Sequence, residues 1–125
     1  MSLRIRPEDV TPTPGGASLS SGLQDESLVD RKGRKGLAAF IGTGRLKMIR
    51  QTYQPGGRHF PHHHRSTEQA YYLLAGKGRV RIGSEVFEAT PGTMFYIPPM
   101  TEHEMENIGD VPLVNLLICV DLDEE

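Results

Sequence analysis

From about Leu37 to the C-terminal end, hydrophobic positions come in short runs rich in β-branched and aromatic residues: "RLKMIRQTY", "QAYYLLA", "RVRI", "EVFEAT", "TMFYI", "HEMEN" and "LVNLLICV". Between them stand "PGG", "GKG", "GS", "PG", "PP" and "IGDVP", punctuation suited to turns. This rhythm predicts an all-β sandwich or barrel, and no stretch in this region keeps a helical period. Residues 1–36 differ, being rich in Ser, Gly, Pro and charge. They read as an N-terminal extension with room for a short edge strand, and residues 37–125 as the barrel domain.

Composition narrows the class. A chain of 125 residues, 37% hydrophobic and with formal net charge -2, describes one domain able to close a single core without staples. The single cysteine, Cys119, lies in the apolar run "LVNLLICVDL". It has no partner for an internal disulfide and is expected to pack as a small buried hydrophobe, a cytoplasmic pattern. The N-terminus lacks the continuous apolar region of a signal peptide, and no apolar run approaches the roughly 18 residues of a membrane span. A soluble cytoplasmic protein is expected, without membrane contact. The basic cluster "RKGRK" (Arg31 to Lys35) is followed by no DNA-reading element and is preceded by Asp25, Glu26 and Asp30. It is read as solvated surface, so no nucleic-acid partner is expected.

The candidate chemistry is concentrated in "HFPHHHRSTEQAYYLLAGKG", which holds four of the five histidines within six residues. In a strand, residues two apart share a face, so His62 and His64 project together while His63 points the other way. A first-row metal needs such a pair, because two imidazole nitrogens about 2 Å from one ion demand adjacent, co-directional stems. Two histidines by themselves carry little weight, since surface histidine clusters also arise by chance.

The order of the surrounding residues adds more. Gly56 is followed after five residues by His62, then by His64, after four more by Gln69, and after six more by Gly76. Downstream, Gly92 is followed after five residues by Pro98, then by His103 and, four places on, Asn107. These blocks, "PGGRHFPHHHRSTEQAYYLLAG" and "PGTMFYIPPMTEHEMEN", resemble the paired motifs of the cupin superfamily, and the resemblance covers Leu46 to Val120. It implies a single antiparallel jelly-roll β-barrel in which both motifs face one divalent transition metal ion (Zn, Ni, Mn, Fe or Co). By that carry-over His62, His64 and His103 are the imidazole ligands. Gln69 stands where the family usually has a glutamate. Its neighbour Glu68 is the rival for that position, but adjacent strand residues face opposite sides, so only one of them looks inward unless the strand carries a bulge. Met100 replaces a glycine usual in the second motif, and a side chain there restricts the backbone just before His103.

A glutamine ligand alters the chemistry the resemblance implies. Three imidazoles and a carboxylate leave a divalent ion with net charge of about +1, whereas three imidazoles and an amide leave it near +2. The more positive ion is the stronger Lewis acid and resists oxidation. Within the cupins, the His-His-Gln-His arrangement looks similar to small sugar-acid enzymes that convert unsaturated uronates to linear keto acids. The expectation is therefore a metal-dependent isomerase or lyase acting on a small sugar acid or other small carboxylate. An iron-dependent dioxygenase and a non-catalytic metal- or ligand-binding cupin are the alternatives, since fold does not decide reaction.

Other residues complete the picture. Tyr71, two residues after Gln69, should share its face and is a candidate proton donor or substrate contact, or equally a barrel-filling aromatic. Arg50 is a candidate for binding a substrate carboxylate if it points inward. Glu102 and Glu104 should point away from the metal, His59 is a rim or loop residue, and Asn107 is read as structural. Tyr72 and Leu74 should face outward, an apolar surface that predicts a homodimer.

Overall fold

The computed structural model describes residues 13–14, 35–42, 45–62 and 66–122, with side chains described for 45–58 and 66–122. Every regular element among them is a strand. In chain order these are β1 (Thr13–Pro14), β2 (Lys35–Gly42), β3 (Leu46–Tyr53), β4 (Arg58–His62), β5 (Thr67–Ala75), β6 (Gly78–Ile82), β7 (Glu85–Ala89), β8 (Met94–Ile97), β9 (His103–Asn107) and β10 (Leu113–Asp121). Two sheets form, of order β1-β2-β3-β10-β5-β8 and β4-β9-β6-β7. Every pairing is antiparallel, giving a jelly-roll β-barrel. β2 opens at Lys35, the last residue of the basic run, and β1 lies at the sheet edge against Gly36 and Leu37. Arg31 to Arg34 lie outside the described residues. No helix among the described residues is long and apolar enough to cross a membrane.

Alternation decides what the barrel encloses. β3 buries Lys47, Ile49, Gln51 and Tyr53; β5 buries Thr67, Gln69, Tyr71 and Leu73; β10 buries Leu113, Asn115, Leu117 and Cys119. Because β10 runs between β3 and β5, these residues fall into cross-strand rows: Lys47–Cys119–Gln69, then Ile49–Leu117–Tyr71, then Gln51–Asn115–Leu73. From the facing sheet Val80, Ala89 and Met105 complete the core, with Phe87 and Phe95 packed beside them. Each fully buried Leu contributes on the order of 1.5–3 kcal/mol by leaving water. Three of them, Leu73, Leu113 and Leu117, come from the central strands.

The turn after β5 shows how tightly the barrel end is closed. Gly76 has φ +88°, a left-handed backbone that side chains rarely adopt, and an added Cβ would stand 2.6 Å from the Pro112 carbonyl oxygen and 2.7 Å from Leu113 Cα. Both obstacles are backbone and cannot swing away. Gly76→Ala is therefore expected to destabilise the fold by roughly 2–4 kcal/mol. Chemical denaturation checks this, and an unchanged midpoint would refute the close approach.

Candidate metal centre

Strand parity sorts Gln69 from Glu68. Gln69 is 1% exposed and points into the barrel. Glu68 stands on the outer face, where its Oε2 accepts a 2.7 Å hydrogen bond from the Tyr96 hydroxyl. The Gln69 Nε2 donates to Cys119 Sγ at 3.4 Å, directly across the β5–β10 ladder. Its Oε1 is buried and has no hydrogen-bond partner among the described residues. A buried carbonyl oxygen left so is costly, by about 1–3 kcal/mol, unless something else satisfies it. A hard oxygen donor facing the barrel interior suits a divalent cation.

His103 opens β9 and is 1% exposed. Its Nδ1 lies 2.9 Å from the Thr101 carbonyl oxygen. A carbonyl only accepts, so in the neutral ring Nδ1 carries the proton and Nε2, also buried, keeps the lone pair. That is the tautomer a metal-ligating histidine requires.

The first-motif histidines are described less fully. The β4–β9 ladder pairs Arg58 with Glu106 and His59 with Met105, then slips by one residue so that His62, and not Pro61, comes opposite His103. A bulge at this point accommodates Pro61, which cannot donate to a ladder. The backbones of His62 and His103 are thus paired neighbours. The side chains of His59 and His62 lie outside the described residues, as does the whole of His64. Among the described residues no three His, Cys, Asp or Glu side chains are grouped to hold a metal.

Tyr71 shares the inward face with Gln69, one row along. Its ring stacks on Phe95 with centroids 4.8 Å apart and planes 10° off parallel. The hydroxyl is buried without a hydrogen-bond partner among the described residues, and burial pushes its pKa well above the usual value, so it stays a phenol. Arg50 corrects an expectation: it alternates with buried Ile49 and Gln51 and therefore stands on the outer face of β3, away from the barrel interior.

Further inward polar residues were not anticipated from the sequence. Lys47 is 4% exposed and its Nζ lies 2.7 Å from Asp121 Oδ2, while Thr67 donates to Asp121 Oδ1 at 3.0 Å. Gln51 and Asn115 pair across β3 and β10; the first accepts from the Tyr53 hydroxyl at 3.4 Å, and the second donates to Met105 Sδ at 3.6 Å. Counting by twos from Ile49 reaches Lys47 and Gln51, but "KMIRQTY" offers polar residues on both faces, so the phase of β3 was not visible.

The residues around His103 have structural partners. Arg81 binds Glu102 at 2.7 Å and Glu104 at 3.3 Å, on the far side of the strand from the imidazole. Asn107 donates to the carbonyls of Tyr53 and Val111, both at 2.9 Å, and accepts from the Gly109 amide. Met100 has φ 62° and is 61% exposed, so it occupies the left-handed turn position that glycine would fill without strain.

A model of the cupin domain family matches residues 49–119. An uncharacterized protein of Methanocaldococcus jannaschii is 44% identical over 64 residues, which are 51% of this chain and 50% of that protein. Oxalate decarboxylase OxdC of Bacillus subtilis is 35% identical over 75 residues, covering 56% of this chain and 20% of the enzyme. The chain thus spans half or less of the length of these relatives. A solved structure from Thermotoga maritima, described as a predicted oxalate decarboxylase, matches with a TM-score of 0.77 at 19% identity, covering 96% of this chain and 100% of that one. At this identity the likeness is one of fold.

The Cys119 thiol beside Gln69 has a titration consequence. Burial pushes its pKa up from the usual 9 to about 11, against the smaller lowering effects of the Gln69 hydrogen bond and the Lys47 charge. Between those two values the unfolded chain releases a proton that the fold retains, so this contribution to stability is whole below pH 9 and lost by about 11. Its size is on the order of 2–3 kcal/mol. Tyr53 and Tyr71, also raised by burial, add to the decline above about pH 10. In urea denaturation at pH 7, 9 and 10.5, the Cys119→Ser variant should lose less stability than the wild type; equal losses would show that the thiol is not the group responsible.

Proposed function

This chain belongs to the cupin domain family, and from that premise we propose that it is a metal-dependent enzyme acting on a small carboxylate or sugar acid, of isomerase or lyase type. One observation carries the reading: Gln69 turns an unsatisfied, buried carbonyl oxygen into the barrel, one row from the unsatisfied phenol of Tyr71. In this reading His62, His64, Gln69 and His103 hold one divalent transition metal ion. A metal there supplies Lewis-acid polarisation of a substrate carbonyl or carboxylate. Tyr71, protonated at any physiological pH, donates a hydrogen bond or a proton to the substrate. The Phe95 ring and the apolar row of Ile49 and Leu117 exclude water around it. The match to an oxalate decarboxylase supports a small carboxylate as substrate class.

The metal part is tested by elemental analysis of the purified protein and by the affinity of the metal-free protein. His103→Ala should remove most bound metal, and Gln69→Glu should keep or strengthen binding while lowering turnover. Affinity should fall as pH drops through roughly 6.5, since imidazole must be neutral to coordinate; affinity flat from pH 8 to 5 would contradict these ligands. The reaction class is tested by an oxygen-free screen on unsaturated uronates and hydroxy acids. Turnover without oxygen supports the proposal, oxygen-dependent turnover points to a dioxygenase, and saturable binding without turnover to a ligand-binding cupin.

We further propose that the outer face of the larger sheet meets a second copy of the chain. Tyr72, Leu74, Met94 and Tyr96 are exposed there, and the cross-strand rows Met94–Tyr72–Leu116 and Tyr96–Ala70–Ile118 make the patch continuous. Light scattering should find a dimer in the wild type and a monomer in Tyr72→Glu combined with Met94→Glu; a monomeric wild type would exclude this surface as a dimer interface.

A further inference from the structure

A carboxylate ligand looks the same from either oxygen, but a carboxamide does not. Only its oxygen offers a lone pair to a cation, while its nitrogen presents two hydrogens. Using glutamine in this position therefore creates a requirement absent for glutamate: something must decide which end of the amide faces the barrel interior. On one side of Gln69 in its cross-strand row is Ile97, buried and apolar, which has no polar side-chain atom to offer. On the other is Cys119, whose sulfur accepts from Nε2 at 3.4 Å and leaves Oε1 turned away from it.

We propose that Cys119 is a positioning residue that sets the flip of the Gln69 amide so that its oxygen faces the bound cation. The inference rests on the reading of Gln69 as a ligand. The sulfur is suited to this role by its place: it is 1% exposed, directly across the ladder from Gln69, and accepts from the amide nitrogen where no solvent competes for it. On the far side of the same row, Lys47 is engaged by Asp121, so its ammonium is held beside that carboxylate at the barrel end.

The test is a pair of comparisons of Zn2+ affinity, measured on metal-free protein by competition with a chromophoric chelator. With Gln69 present, Cys119→Val removes the acceptor and should lower affinity about tenfold. Cys119→Ser, which keeps an acceptor, should remain within about threefold of wild type. With Gln69→Glu as background, the carboxylate is symmetric and Cys119→Val should leave affinity unchanged. An equal loss in both backgrounds, or no loss in the first, overturns the positioning role, the former by showing a packing effect. If Gln69→Ala itself binds Zn2+ as the wild type does, the ligand reading fails and the inference falls with it, a result distinct from the other two. Melting of the metal-free variants verifies that each is folded, and Cys119→Ala replaces Val should the larger side chain disrupt the row.

Discussion

The antiparallel ladder that seats β10 between β3 and β5 is the constraint on which the interior depends. Side-chain direction alternates along β3, along β5 from Thr67 to Leu73 and along β10, so once this register is set, these residues are assigned to the inside or the outside together. A slip of one residue would exchange Gln69 for Glu68, Tyr71 for Tyr72 and Cys119 for Ile118. It would place a carboxylate and an exposed phenol inside and leave the amide in solvent. The core leucines defend the register, because Leu73, Leu113 and Leu117 would be exposed by the same slip. Packing energy and site chemistry are thereby coupled through one geometric parity.

Within that frame the interior is more polar than a plain barrel core. Lys47, Gln51, Gln69, His103 and Asn115 are all buried. Some are satisfied by the fold, as Lys47 is by Asp121. Others present an atom the described fold leaves unmatched, namely Gln69 Oε1, Gln51 Nε2 and Asn115 Oδ1. Buried polar groups of this kind lower stability unless a ligand, ion or water completes them. The neutral amides set the character of the interior: they offer donors and acceptors without fixing a charge.

Much of this was legible in the sequence, and the reasons for success and failure are physical. Gly and Pro punctuation marked the strands, and the spacing from Gly76 back to Gln69 selected the inward residue of the Glu68–Gln69 pair, which lies in the part of β5 where burial alternates without interruption, before the register shift between Leu73 and Ala75. The outward Glu102 and Glu104 followed from parity with His103. Arg50 failed because β3 carries polar residues on both faces, so hydrophobicity could not set its phase; the register with Leu116 and Leu117 of β10 does so, and that is a tertiary fact. Lys47 is hidden for a related reason. A buried ammonium is unexpected until its partner Asp121, distant in sequence, is known to lie beside it. The left-handed turn at Met100 was foreseeable, as a glycine position occupied by another residue, but its backbone angle was not.

The irregular step in β4 carries a consequence for how this chain can vary. Between Gly57 and His62 the count of residues, and not their identity alone, chooses which one stands across from His103. Removing a single residue there would present His63 to the second motif and adding one would present Pro61, whatever side chains remained. Length polymorphism, ordinarily the mildest form of divergence in a loop-rich barrel, is thus the most severe in this short segment.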